Sequence, residues 1–182
     1  MSSAFSHFQT ITRHRHRVIA HCFRAGLLWR GLLHDLSKYS LTEFLPGARY
    51  YQGQRSPNEA ERESLGYSAA WLHHKGRNRH HFEYWVDYNQ KTKQLTPVPM
   101  PDVFLYEMFC DRVAASKIYQ GSAYRDSHPL AYFLNAKATR VIHPQTSERL
   151  EQLLRMLAEE GEDAVFRYIR AQRKKERKIH GK

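Results

Sequence analysis

The chain has 182 residues, 41% of them hydrophobic, which suffices for one domain with a sizeable core and gives no compositional reason for two. Its longest apolar runs are four or five residues, far short of the roughly 20 needed to cross a bilayer, and "MSSAFSHFQT" lacks a basic region followed by an apolar block, so a cytoplasmic protein without membrane association is expected. The formal net charge of +11 favours anionic partners, while two cysteines without CxxC spacing, Cys22 and Cys110, argue against a disulfide framework or a thiolate zinc site and read as buried free thiols.

Helical periodicity runs through almost the whole chain, and no alternating run is long enough to suggest a sheet. The expected fold is therefore all-α, a single-domain bundle of about seven to nine helices. Phe8, Ile11, Val18, Ile19, Cys22 and Phe23 lie at helical spacings and predict a first helix ending near Gly26. A short second helix follows from Trp29 to about Lys38. "SPNE" at 56–59 places Ser at the cap, Pro at the first helical position and Glu three after the cap, predicting a helix through Tyr67 and Trp71 to about His74. Gly76 and Asn78 weaken that helix, and "HHFEYWVDY" is expected to begin another near 79 or 80. The segment 89–101, "NQKTKQLTPVPMP", has three prolines and no apolar period and reads as a loop. Asp102 then caps a helix with an apolar stripe of Val103, Tyr106, Cys110, Val113 and Ala114 beside a polar line of Glu107, Asp111 and Lys117. Helices near 127–139, 146–160 and 162–178 complete the domain, which spans 1–169. Residues 170–182, with seven Lys or Arg against one Glu, form a basic C-terminal tail, solvated and frayed or a nucleic-acid contact.

The chemistry concentrates around "GLLHDLSKYSLTEF", where Leu32 and Leu33 lead into His34 and Asp35. A neutral imidazole nitrogen and a hard carboxylate oxygen together suit divalent Mn, Fe, Zn, Co or Ni better than Ca. Adjacent helical residues point about 100° apart, so an ion would lie across one helix end, with further ligands supplied by other helices.

"LLHDLSK" resembles the core signature of the HD superfamily, helical metal-dependent hydrolases in which a leading His, a His-Asp pair and a later Asp bind the metal. With "GYSAAWLHHKGRNRHHFEYW" and "MPDVFLYEMFCDRVAASKIY", the chain resembles, from about 11 to 135, a bacterial family of unknown function that carries an HD-like motif. The resemblance implies an HD-domain-like fold with His34 and Asp35 as the paired ligands and Asp111 as the closing ligand. The leading His lies among His14, His16 and His21, with His14 preferred because it shares a helical face with Val18 and Cys22. Asp111 sits midway along a helix, where an unpaired buried carboxylate is costly; the alternative is a salt bridge to Arg112 or Lys117.

Four more histidines, His73, His74, His80 and His81, fall within nine residues. Some HD enzymes use two extra histidines to hold a second metal, but the interval of six or seven residues here is shorter than usual in the superfamily, so one ion is expected rather than two. His74 and His81 are then candidates for positions over a substrate, as general acid or as hydrogen-bond donor to a phosphoryl oxygen, and Lys75, Arg77, Asn78 and Arg79 for binding it. Lys38, one turn after the pair, lies within reach of a bridging phosphate, with Glu43 as a base or as the group that holds the lysine. Glu83 is placed to accept from a ring nitrogen or to pair with Arg79. The expected activity is that of a metal-dependent phosphohydrolase acting on a nucleotide or another phosphorylated small molecule through a metal-activated water. The alternatives are an HD-type di-iron oxygenase and a non-enzymatic nucleic-acid- or anion-binding protein using the basic tail. A homo-oligomer is compatible with all three.

Overall fold

The computed structural model describes residues 2–180 and, among them, is an all-α bundle of eight α-helices with one small β-hairpin. Helix α1, Ser3–Arg24, starts at Ser2, whose Oγ accepts from the Phe5 amide, and buries one stripe of His7, Ile11, His14, Val18, His21 and Cys22. It stops before Gly26, whose φ of 73° takes the chain out of the helix.

The expected second helix is instead interrupted at the His-Asp pair. Helix α2, Leu28–Leu33, ends as His34 becomes extended and Asp35 turns left-handed at φ 53°, after which a 3-10 turn covers Leu36–Tyr39. Aspartate tolerates this conformation better than most residues. The break removes the 100° constraint of a helix and lets both side chains face inward, each 1% exposed, while Leu33 is 67% exposed. Arg15 on α1 holds the broken end by donating to the carbonyls of Leu32 and His34.

Helix α3, Leu41–Arg49, packs on α1 at Gly47, where any β-carbon would meet the His7 ring. The single helix expected from 57 to His74 is two, α4 at Pro57–Leu65 and α5 at Ala69–Arg77. Gly66, at φ 79°, ends the first, and the Ser68 hydroxyl caps the second by accepting from the Trp71 amide. The helix expected from 79 or 80 is absent. A 3-10 turn at Phe82–Tyr84 leads into β1, Val86–Asn89, which pairs antiparallel with β2, Gln94–Pro97, so 89–101 is partly strand rather than all loop. Asn89 Oδ1 closes the turn by accepting from the Lys91 and Thr92 amides.

Helix α6, Asp102–Gln120, runs through the middle of the domain. Every residue from Leu105 to Cys110 is buried, so this helix is enclosed on all sides instead of presenting one apolar stripe. Asp102 lies in its first turn and pairs with Arg149 instead of capping. Helices α7, His128–Asn135, and α8, Pro144–His180, close the core with Phe133, Leu150, Leu154, Leu157 and Ile169. Gly161, non-helical at φ 80°, divides α8 into the two helices expected there. The helix continues through His180 across the 169/170 boundary, so residues 170–180 are not a frayed tail; 181 and 182 lie outside the described residues. Arg170 donates to the Phe23 and Arg24 carbonyls and Arg173 to that of Gly26, tying α8 to the end of α1. No described helix is long and apolar enough to cross a membrane.

Candidate metal centre

Helices α1, α5 and α6 and the break after α2 converge on Asp35. His14 comes from the buried face of α1 and Asp111 from α6; His34 and Asp35 come from the broken end of α2. Their ligand atoms lie within 4.8 Å of one another. Of the three candidates for the leading His, His14 reaches this group. His16 is exposed, and His21, though buried, bonds the Cys110 carbonyl and neighbours Lys117 and Glu162. Asp111 faces His14 and His34 rather than Arg112 or Lys117, the latter being paired with Glu162.

The short interval between the extra histidines does not keep them apart. Helix α5 carries His74 and ends at Arg77, and the turn that follows folds His80 and His81 back onto it. Asp35, His74, His80 and His81 therefore form a second group within the same 4.8 Å limit. Asp35 belongs to both groups and gives one oxygen to each. Its Oδ2 lies 3.3 Å from His34 Nε2 and 4.0 Å from His14 Nε2, while its Oδ1 lies 3.3 Å from His74 Nε2 and 3.4 Å from His80 Nε2. His14 Nε2 is 2.9 Å from Asp111 Oδ1, and His74 Nε2 is 2.8 Å from His81 Nε2.

These separations are those of ligands around an ion. With bonds of ~2.1 Å, neighbouring ligand atoms stand ~3.0 Å apart in an octahedron and ~3.4 Å apart in a tetrahedron, and opposite ones ~4.2 Å. The donor chemistry agrees. The Nε2 atoms of His14, His34 and His80 and both oxygens of Asp35 are buried without an aligned hydrogen-bond partner among the described residues. Buried polar atoms left unpaired are costly, and a cation in each of the two groups would satisfy all five. The residues present thus fit a divalent metal, with imidazole and carboxylate donors suited to Mn, Fe, Co, Ni or Zn.

Burial opposes charge throughout the site, and the facing groups decide which charges persist. Asp35 is held well below the usual carboxylate range by His34 and Lys38, and Asp111 by His14 and His34. The His34 pKa is raised despite burial because Asp35, Asp111 and Glu107 surround the ring. Burial lowers those of His14 and His81, which are neutral. Lys38 Nζ lies 2.6 Å from Asp35 Oδ2, and Asp35 and Asp111 raise its pKa against the cost of burial, so it remains an ammonium.

Glu43 does not hold Lys38. It is buried, and its two oxygens accept from Nδ1 of His73 at 2.6 Å and of His74 at 2.7 Å. This leaves the His74 Nε2 lone pair facing Asp35. Asn78 is also buried and donates to Ser37 Oγ and the His74 carbonyl, fixing the end of α5, so its side chain is already occupied. Lys75 is half-buried, Arg77 is exposed and bonds the His73 carbonyl, and Arg79 is exposed with its guanidinium over Tyr84. Glu83 pairs with neither a ring nitrogen nor Arg79, and its Oε2 is buried without a partner among the described residues.

His80 and Glu107 were not singled out as site residues by sequence reasoning. His80 was one of four histidines with no periodicity to rank them, and Glu107 read as one member of a polar line. The signal for Glu107 was available: it lies four residues before Asp111, one helical turn away on the same face.

Residues 3–156 match the model of DUF5662, a family of unknown function. No curated protein and no solved structure matches the chain.

Proposed function

We propose that this chain, which belongs to the DUF5662 family, is a metal-dependent phosphohydrolase acting on a nucleotide or other phosphorylated small molecule, in which Asp35 would help to hold each of two divalent ions. One observation carries the reading: Asp35 presents its two oxygens to two different sets of imidazole nitrogens, with His14, His34 and His80 Nε2 buried and unpaired among the described residues. His14, His34, Asp35 and Asp111 would hold one ion and Asp35, His74, His80 and His81 the other. So placed, these residues would hold ions that would supply Lewis acidity to a phosphoryl oxygen and lower the pKa of water toward neutrality.

The chain's own residues account for the rest of the proposal. Lys38, kept charged beside Asp35, is placed to meet the phosphoryl oxygens and neutralise charge that develops there. Glu43 fixes the His73 and His74 rings and, with both oxygens engaged, acts by positioning rather than as a base. One residue past Asp111, Arg112 has a buried Nε without a partner among the described residues, as does Nη1 of Arg140. Burial lowers the Arg112 pKa and the Arg140 charge lowers it further. Glu83 offsets part of this charge, and the spare guanidinium donors would serve an anionic substrate.

The test strips the purified protein of metal, reloads it with Mn, Fe, Co, Ni or Zn in turn, and measures metal per chain together with hydrolysis of p-nitrophenyl phosphate and a nucleotide panel. Two ions per chain and phosphate release, both lost in His34→Ala and Asp35→Ala, are expected. Absence of stoichiometric binding by every ion would overturn the proposal.

The di-iron oxygenase reading also gains from the second set, because the short interval between the histidines no longer argues against two irons. Mixed-valence electron paramagnetic resonance in iron-loaded protein, with oxygen consumption and no phosphate release, would favour it.

A further inference from the structure

We infer that Glu107 couples the two ligand sets, acting as a positioning residue that holds one histidine of each in its ligating form; this rests on the two-ion reading above. Glu107 lies on α6, 2% exposed, behind the site. Its Oε1 is 3.0 Å from His34 Nδ1 and 3.3 Å from His80 Nδ1, and its Oε2 accepts from Arg30 Nε at 2.5 Å. The His34 and His80 rings lie tilted by 35° with centroids 4.3 Å apart, and their Nδ1 atoms meet the same oxygen.

A carboxylate can only accept here, so both rings must carry hydrogen on Nδ1. Nε2 is then the nitrogen that faces Asp35 in each ring, one toward each of its oxygens, and it is the one left to supply a lone pair when an ion binds. Arg30 stabilises the arrangement from the far side, its guanidinium lying 4.1 Å from the centre of the Phe104 ring and restraining the carboxylate. Glu43 provides a built-in comparison. It performs the same service for His74 alone among the metal-facing rings, on one side of Asp35.

The two carboxylates therefore differ in what they control. Carboxylates behind ligating histidines change metal affinity by ~10–100-fold when removed. In Glu107→Gln the carboxamide offers one acceptor oxygen where the carboxylate offered two, so either Arg30 or the ring pair loses its partner. Both ions are expected to weaken together by ~10–100-fold, whereas Glu43→Gln weakens the His74-side ion and leaves the other within ~3-fold.

The experiment titrates metal-free wild type, Glu107→Gln and Glu43→Gln with Zn against a competing chelator, resolving the two binding steps. One step moving in Glu43→Gln and both in Glu107→Gln supports the coupling. Both steps unchanged in Glu107→Gln, or one step alone moving, overturns it. A wild type that binds no Zn sinks the two-ion reading itself, so the two failures are distinguishable. Imidazole nitrogen NMR of Zn-loaded wild type supplies a readout independent of whether Glu107→Gln folds. Hydrogen on Nδ1 of His34 and His80 is expected, and hydrogen on Nε2 of either ring overturns the inference.

Discussion

Asp35→Asn probes the shared position directly. In the wild type, each oxygen of Asp35 faces imidazoles of a different set at 3.3 or 3.4 Å, so under the proposed reading the side chain would serve two ions at once. An ion present at a hundred times its dissociation constant stabilises the folded protein by about 2.7 kcal/mol. Two such ions contribute about 5 kcal/mol, which for a chain of this size raises the melting temperature by about 10–20 °C. The Asp35→Asn variant leaves His14, His34 and Asp111 on one side, still with one anion, and only His74, His80 and His81 on the other. The second set loses its only anionic ligand and the first keeps one carboxylate of two, so a tenfold loss of affinity at each cuts an ion's contribution from about 2.7 to about 1.4 kcal/mol. The metal-induced shift should fall to about half of the wild-type value or less. Calorimetry compares the chelator-treated and metal-loaded forms of each protein. Taking the difference within each protein cancels what the substitution does to the metal-free state, where it also strips Lys38 of its partner. Equal metal-induced shifts in wild type and variant would refute the bridging role, and no shift in wild type with any of the five metals would refute metal binding.

Acid should destabilise the metal-free protein through two histidines outside the centre. Burial lowers His7 and His21 from 6.5 to about 4, so below pH 6.5 the unfolded chain takes up protons that the folded chain refuses. Their contribution is complete above pH 6.5 and lost as pH falls toward 4, by at most about 3 kcal/mol each. Urea unfolding between pH 7 and 4.5 should show a shallower loss in His7→Gln/His21→Gln than in wild type, and parallel curves would count against the assignment. A methyl at Gly47 would overlap the His7 ring, so Gly47→Ala should cost about 1–3 kcal/mol. That cost should shrink when combined with His7→Ala, and strict additivity in the double-mutant cycle would exclude the contact. Arg170→Ala/Arg173→Ala should lower the melting temperature by freeing the carbonyls at the end of α1 while leaving metal stoichiometry unchanged. A stable double variant with weakened nucleic-acid binding would instead favour the basic-tail reading.

Legibility differed between elements for identifiable reasons. The long helices α1 and α6 and the division of α8 at Gly161 were readable because period and glycine act locally. The helix expected across 57–74 and that expected from 79 or 80 failed because one window of periodicity spans a break it cannot see. Gly66 ends α4 by its positive φ, and the hairpin 86–97 depends on pairing between strands too short to alternate visibly.

For the site, sequence alone determined the inventory: a His-Asp pair after apolar residues, a histidine on the buried stripe of α1, a cluster of four histidines, and an aspartate inside α6. These are properties of residue type and spacing. What only the tertiary structure decided is how the inventory divides, namely the left-handed turn at Asp35 that faces both members of the pair inward, the return of His80 and His81 onto α5, and the two rings sharing Glu107. Each depends on backbone direction at a break and on contacts between residues far apart in the chain, where helical period carries no information.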